Sequence, residues 1–253
     1  MTLCQLLQHI FDTMSSINYN EMKKYLIFLW WELYMEFQRA RTKKQIANRQ
    51  EEIIAACAEI YQKKGYEAVN FKAISKKTSI SRPGIYNYYE TKEEIFLDIL
   101  RLDINKWEND FKFHFESINQ MTKEEFCTFL ADSVVAHEKY LELLAVYMRP
   151  IEKNSRLEKL AEFKKATYLF FLIFRKGLDK YFPDIPKEKK SIFIFYSMTI
   201  VYGAYPLTHL SEKQVKAMKK AEPEYETPDF REVCYYAFLK ILSHHNIFKA
   251  NGT

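Results

Sequence analysis

The stretch that most constrains this chain runs from Asn70 to Glu94, NFKAISKKTSISRPGIYNYYETKEE, because three helix-start signals are crowded into it. Asn70 is placed to satisfy an amide of a following helix, Phe71 to Lys77. Ser81 is placed to do the same for a helix through Asn87, and Pro83 is tolerated there because first-turn amides have no intrahelical partner. Thr91 with Glu94 forms a capping box ahead of Ile95, Phe96, Ile99 and Leu100. Before this stretch, Asn48 with Glu51 signals a helix start, and Ile53, Cys57 and Ile60 recur on one face up to about Lys64, where Gly65 stops the helix. Phe71, Ile74, Thr78, Ile80 and Ile85 are expected to pack inward. Two caps at this spacing, an apolar residue in the connection Thr78-Ser79-Ile80 and a helix carrying Arg, Asn and Tyr meet the requirements of a helix-turn-helix.

Charge agrees with that reading. From Ile60 to Tyr89 the cations are Lys63, Lys64, Lys72, Lys76, Lys77 and Arg82 against Glu67 alone, an excess that equals the +5 of the whole chain. A merely solvated face would mix Glu with Lys, so the patch points to a polyanionic partner. Farther upstream, Arg39, Arg41, Lys43 and Lys44 crowd a polar segment that reads as a solvated helical arm or as a basic arm touching a phosphate backbone.

The rest of the composition sets limits. With 253 residues, 48% hydrophobic, the chain suits one or two domains with a real core. Five Gly and seven Pro favour long helices, so the fold class is all-α. Cys4, Cys57, Cys127 and Cys234 are far apart without a CxxC pair, which indicates neither a disulfide framework nor a zinc site and suits a reducing cytosol. No Gly-rich phosphate loop, nucleophile elbow or HExxH is present, and His244 and His245 point to different sides of a helix, so no catalytic residue, metal or cofactor is expected.

Residues 1–34 allow three readings. The run Tyr25 to Trp31 is too short to span a bilayer, and an amphipathic helix from Glu21 to Gln38 or a membrane-surface helix would use it. Trp30-Trp31-Glu32 must also be encoded by a purine-rich stretch like a ribosome-binding site two codons ahead of Met35, so residues 1–34 are expected to be translated leader or an extra helix.

The segment ISKKTSISRPGIYNYYETKEEIF resembles the N-terminal domain of TetR-type transcriptional regulators, with the likeness covering Arg49 to about Leu100. The resemblance implies that Ser81 to Asn87, Pro83 and Gly84 included, lie in a DNA major groove. Arg82 is the candidate for a guanine edge, and Asn87 for a base or a phosphate. Tyr86, Tyr88 and Lys92 match phosphate-binding positions, and Asn70, with Lys72 beside it, matches a helix start that meets phosphate. Two departures stand out: Ser79 replaces the family's turn Gly, and Pro83-Gly84 replaces a small residue and Thr. A fourth helix through about Glu116 is implied to be the lever between domains, giving a helix-turn-helix domain over 35–94 and a helical ligand and dimerisation domain over 95–253.

In that second half, helices are expected from Lys123 to Met148, Leu157 to Tyr181, Glu188 to Tyr205 and Pro228 to His245, with breaks at Pro150, Pro183, Pro186, Pro206 and Pro223 and an N-cap at Thr227. The density of aromatics suggests a pocket for a small apolar or aromatic ligand, lined by Tyr147, Phe163, Phe170, Phe171, Phe174 and Tyr202, with His137 and Arg175 to orient it. Apolar arcs at Ile192, Phe195, Tyr196 and Thr199, and at Val233, Tyr236, Ala237 and Ile241, suit pairing across a two-fold axis, as the resemblance implies. The expected protein is a ligand-responsive, cytoplasmic, nucleoid-associated bacterial repressor. It would bind double-stranded operator DNA as a homodimer, make no membrane contact and be released by a small molecule. The alternative is a DNA-anchored protein-interaction factor with the same head.

Overall fold

A computed structural model of the protein describes residues 19–243, and among them the regular structure is helical throughout. Helix α1 spans Tyr19–Lys64 without interruption. The start expected at Asn48 is therefore not a boundary. No Gly or Pro lies in this segment, and a cap-type residue does not stop a helix that already propagates through good helix formers. The chain divides into two compact units, Met1–Ala55 and Ala56–Thr253. In the first, Trp30 stacks on Tyr34 with ring centroids 5.4 Å apart, and Phe28, Trp30, Trp31 and Tyr34 are exposed. Lys43 and Lys44 are also exposed, whereas the side chains of Arg39 and Arg41, like Cys4, His244 and His245, lie outside the described residues.

The second unit opens with the last turns of α1, whose Cys57 and Ile60 are buried, and Gly65 ends the helix at φ 78° with ψ 175°, an extended positive-φ backbone open to glycine rather than the left-handed helical stop expected. After a 3-10 turn at Tyr66–Ala68 come α2 (Phe71–Ser75) and α3 (Arg82–Ile85). Both are shorter than predicted because the chain tightens into i→i+3 turns past Ser75 and Ile85. Helix α4 (Lys92–Ser117) runs to the expected length and packs against α8 (Leu157–Tyr181). Between them lies an aromatic spine: Phe111 stands 5.1 Å from Phe170 and 5.5 Å from Phe174, and Trp107 stands 4.9 Å from Phe170. Gly177 belongs to this contact, since a Cβ there would fall 2.4 Å from the Phe115 ring.

The single helix predicted from Lys123 to Met148 is broken. Helix α5 (Lys123–Ala136), opened by the Thr122–Glu125 capping box, ends at His137 and is followed by α6 (Glu138–Glu142), a π-helical turn Leu143–Tyr147, and α7 (Met148–Lys153). Pro150 lies inside α7 rather than ending a helix. The wider π turn just before it relaxes the ladder where a proline ring would meet the carbonyl four residues back. Helix α9 (Lys187–Thr208) likewise runs through Pro206, close enough to its end that few bonds are lost. Sequence reading missed α10 (Glu212–Ala221), which buries no residue although Ser211 and Gln214 form a capping box at its start. Helix α11 (Phe230–Ser243) begins two residues later than predicted, and Asp229 rather than Thr227 accepts the Glu232 amide, at 2.8 Å. It packs on α5 and α9. Cys57, Cys127 and Cys234 are buried in this unit, and burial pushes each thiol up to about 12.

Candidate nucleic-acid interface

The three N-caps form, but the box expected of Thr91 and Glu94 closes on one side alone, because the Glu94 carboxylate accepts from the Glu90 amide and from Arg156 instead. Asn70 Oδ1 accepts from the Ala73 amide at 3.0 Å, Ser81 Oγ accepts from the Gly84 amide at 3.2 Å, and Thr91 Oγ1 accepts from the Glu94 amide at 3.3 Å. Thr78 organises the turn, donating to the Ile74 carbonyl and accepting from the Ile80 amide. Phe71, Ile74, Ile80 and Ile85 are buried beneath it. Pro83-Gly84 now has a local reason. The Gly84 amide is the Ser81 partner, and a Cβ at Gly84 would come within 3.0 Å of Ile80 Cγ2, so a bare backbone lets α3 sit down on the turn.

Burying those residues leaves Ser81, Arg82, Pro83, Tyr86 and Asn87 exposed on one short helix and its following turn, with Gly84 and Tyr88 half-buried. Tyr86 leans edge-on against Phe71 at 4.8 Å while remaining 52% exposed. Lys72 is exposed on α2. The Asn70 amide nitrogen also donates to the Ala68 carbonyl, so much of that side chain serves the loop. Lys92 is turned inward: its ammonium donates to the Tyr66 carbonyl at 3.1 Å and sits 4.1 Å above the Tyr66 ring.

The cation excess is smaller in effect than its count. Glu59, one residue outside the window in which the charges were counted, pairs with both Lys63 and Lys77 at 2.8 Å, and those two ammoniums hold its carboxyl down to about 2. Lys64, Lys72, Lys76 and Arg82 are exposed and make no ion pair among the described residues.

This head is latched to the helical body at places that sequence reading did not find, among them the Thr91 hydroxyl, which donates to the Asn154 carbonyl at 2.9 Å. Tyr66 stacks on Tyr147 of the π turn at 4.3 Å and on Phe96 of α4 at 4.8 Å. Glu94, fully buried, accepts from Arg156 Nε at 2.6 Å, Arg156 Nη2 at 2.8 Å, the Arg156 amide at 3.1 Å and the Glu90 amide at 2.9 Å. Burial alone would raise the Glu94 carboxyl, but the Arg156 guanidinium and the two amides outweigh it and hold the group below its usual range. Asp98 accepts from Tyr89 at 2.7 Å and from Lys159 at 3.1 Å.

The residues expected at a ligand have different surroundings among the described residues. Phe163, Phe170 and Phe174 are packed in the core, and Phe171 is half-buried against Phe170. Tyr147 serves the stack on Tyr66, Arg175 donates to Ser191 Oγ, and Tyr202 is half-buried on α9. Phe170 and Phe174 belong to the aromatic spine between α4 and α8. A groove of about 560 Å³ opens between α4 and α5, and of those eight residues only His137 lines it. On α9 and α11, Phe195 and Tyr236 are 67% and 64% exposed, Thr199 is exposed, and Ile192, Tyr196, Val233, Ala237 and Ile241 are half-buried, so the two helices present a partly exposed apolar face.

An all-α body behind a capped, cation-bearing helix-turn-helix defines a DNA-binding transcriptional regulator, and comparison with known proteins makes the class specific. A family of bacterial regulatory proteins, the tetR family, matches residues 53–99, and a tetracyclin repressor-like C-terminal domain matches residues 102–242. The chain belongs to the TetR family of transcriptional regulators. It is 27% identical over 137 residues, 51% of this chain and 71% of the other, to the HTH-type transcriptional regulator QacR of Staphylococcus aureus (strain Mu50 / ATCC 700699). Over 65 residues, 26% of this chain and 32% of the other, it is 31% identical to the uncharacterized HTH-type transcriptional regulator YfiR of Bacillus subtilis (strain 168). The solved fatty acid degradation regulator FadR from Bacillus halodurans shares the fold, with a TM-score of 0.51 at 12% identity, covering 78% of this chain and 96% of that one.

Proposed function

We propose that this regulator is a homodimeric repressor that places one α3 in each of two successive major grooves, about 34 Å apart, and leaves its operator when a small molecule binds the helical body. The observation that carries this reading is the exposed row Arg82, Tyr86 and Asn87 on α3 and the turn that follows it, anchored from beneath by Ile85 and by the Ser81 cap. In this reading Arg82 reads a base edge, its fork matching two acceptors of guanine, and Asn87 reads a base or grips phosphate. Ser81, Pro83 and Gly84 line the groove wall. Lys72, Tyr86, Tyr88, Asn70 and Lys92 hold phosphates, Lys92 only after its ammonium swings off the Tyr66 carbonyl.

The face built by Phe195, Thr199, Tyr236 and their neighbours is read as the dimer contact. Helix α9 is long and apolar enough to cross a membrane by length and composition, but the family match runs through it, so its exposed side chains are assigned to pairing rather than to lipid. The protein acts on DNA in the cytoplasm, and no catalytic step enters the reading.

The latches give ligand binding a route to the head, because α4, the π turn and the start of α8 all touch it. A ligand shifts DNA affinity only by its differential affinity for the two arrangements of those latches. The test is operator selection followed by gel shift against random competitor DNA. A preferred palindrome is expected, and binding without sequence preference would refute the reading.

A further inference from the structure

We propose that α10 is an arm that clasps a second copy of the chain, its lysines set against the acidic segment 222–229 of the other protomer. Helix α10 (Glu212–Ala221) has 10 residues and buries none of them. A helix that short is marginal in water by itself, and helices in proteins owe most of their stability to packing on a neighbour. The capping box at Ser211 and Gln214 helps, whereas the exposed Glu212–Lys216 pair at 3.8 Å adds little. Val215 and Met218, one turn apart, give α10 an apolar edge, and Met218 is 40% exposed.

The charges decide which surface can support such a helix. Lys213, Lys216, Lys219 and Lys220 crowd α10 against Glu212 alone, and all four are exposed. The segment 222–229 carries Glu222, Glu224, Glu226 and Asp229 with no cation, and these are exposed as well. Within one chain the two sets leave each other unneutralised. Lys216 pairs with Glu212 of its own helix, and Lys213, Lys219, Lys220, Glu222, Glu224 and Glu226 make no ion pair among the described residues.

A positive helix beside a negative segment is a surface that matches its own copy. Turned about a two-fold axis, each α10 meets the other chain's 222–229, so one contact is made twice. An acidic partner, DNA included, would be attracted by the helix and repelled by the segment, and a basic partner would meet the reverse. Position along the chain agrees, because α10 and this segment make up most of the connection between α9 and α11. Those two helices carry the apolar face assigned to the dimer contact. The inference rests on that assignment for its two-fold axis and adds a reciprocal clasp to it.

The test is a charge swap in the full chain. One variant carries Lys213→Glu, Lys216→Glu, Lys219→Glu and Lys220→Glu, and the other carries Glu222→Lys, Glu224→Lys and Glu226→Lys. Each homodimer then sets like charges together, and sedimentation in about 0.1 M salt should show dissociation about tenfold or more stronger than for the native dimer. Mixing the two variants restores opposite charge at both contacts. The heterodimer should therefore outcompete either homodimer and lose that advantage in about 1 M salt, whereas a variant that merely unfolds gains nothing from the mixing. Independently, Met218→Cys chains mixed with Glu224→Cys chains and oxidised should yield a cross-chain disulfide between the introduced thiols, identified by peptide mass spectrometry; the native Cys57, Cys127 and Cys234 are buried. Statistical mixing of the charge variants, or a mixed dimer without that disulfide, overturns the proposal. A native chain that stays monomeric at every concentration overturns the dimer assignment along with it, whereas a dimer indifferent to both charge variants overturns the clasp alone.

Discussion

Replacing Arg156 with Met tests whether the head is held by the buried Glu94 pair. The substitution keeps the aliphatic stem and removes the two guanidinium bonds, at 2.6 and 2.8 Å, from a carboxylate with no solvent exposure. Breaking a buried ion pair costs roughly 3–5 kcal/mol when the remaining charge is stranded. Here Arg156 is 41% exposed, so solvent screens part of the pair, and the Glu90 and Arg156 amides still donate to Glu94, which brings the expectation to about 2 kcal/mol. For a chain of this size that is a fall in Tm of about 4–8 °C.

The pH dependence gives the sharper check. The folded Glu94 carboxyl lies below its unfolded value, so the pair's stabilisation is present above about pH 4.3 and lost as pH falls through the lowered value. In the variant, burial acts without the guanidinium and lifts the carboxyl, so the deficit should be largest at pH 7.5 and shrink toward pH 5 as Glu94 takes up its proton. Denaturant unfolding at both pH values measures it, with Glu94→Gln and the double variant closing a thermodynamic cycle. A deficit below about 0.5 kcal/mol, or one equal at both pH values, would refute the account.

Arg82→Ala is expected to cost about 1–3 kcal/mol of operator affinity and to relax preference at one base pair, read by competition against single-base operator variants. Gly177→Ala sets helix propensity, which favours Ala by about 1 kcal/mol, against a Cβ 2.4 Å from the Phe115 ring; because that ring is packed in the aromatic spine, overpacking should win and calorimetry should show a lower Tm. Phe195→Asp with Tyr236→Asp should convert a dimer to a monomer by light scattering without changing the helical circular dichroism.

The caps were legible because they are local: Asn70, Ser81 and Thr91 each need only the next three residues to declare a helix start. What failed was decided at a distance. Pro150 and Pro206 read as breaks, yet a π turn absorbs one and a helix end the other. Phe163, Phe170 and Phe174, expected at a ligand, are buried, and aromatic density by itself signals burial whether the neighbour is core or ligand. The groove went unseen although a signal existed: Asp110 and His114 lie one turn apart on α4, as do Glu125 and Phe129 on α5, and only the packing of the two helices makes them one wall. Glu59 escaped the charge count by a single residue, and it pairs with two of the cations that made the patch look basic.

The π turn at Leu143–Tyr147 has a further consequence, which concerns phase. A π turn carries one residue more than the α repeat, and each residue turns a helix by about 100°. The face that Tyr147 offers to Tyr66 is thus fixed by counting residues along the chain as well as by the stack itself. Loss of one residue within the π turn would restore an α ladder with nearly the same phase beyond it, whereas loss of one residue from α6 (Glu138–Glu142) would carry Tyr147 about 100° around the helix axis and away from the head. A single-codon deletion can in this way redirect which side of the body answers to the DNA-reading helix, while leaving every side chain of that helix unchanged.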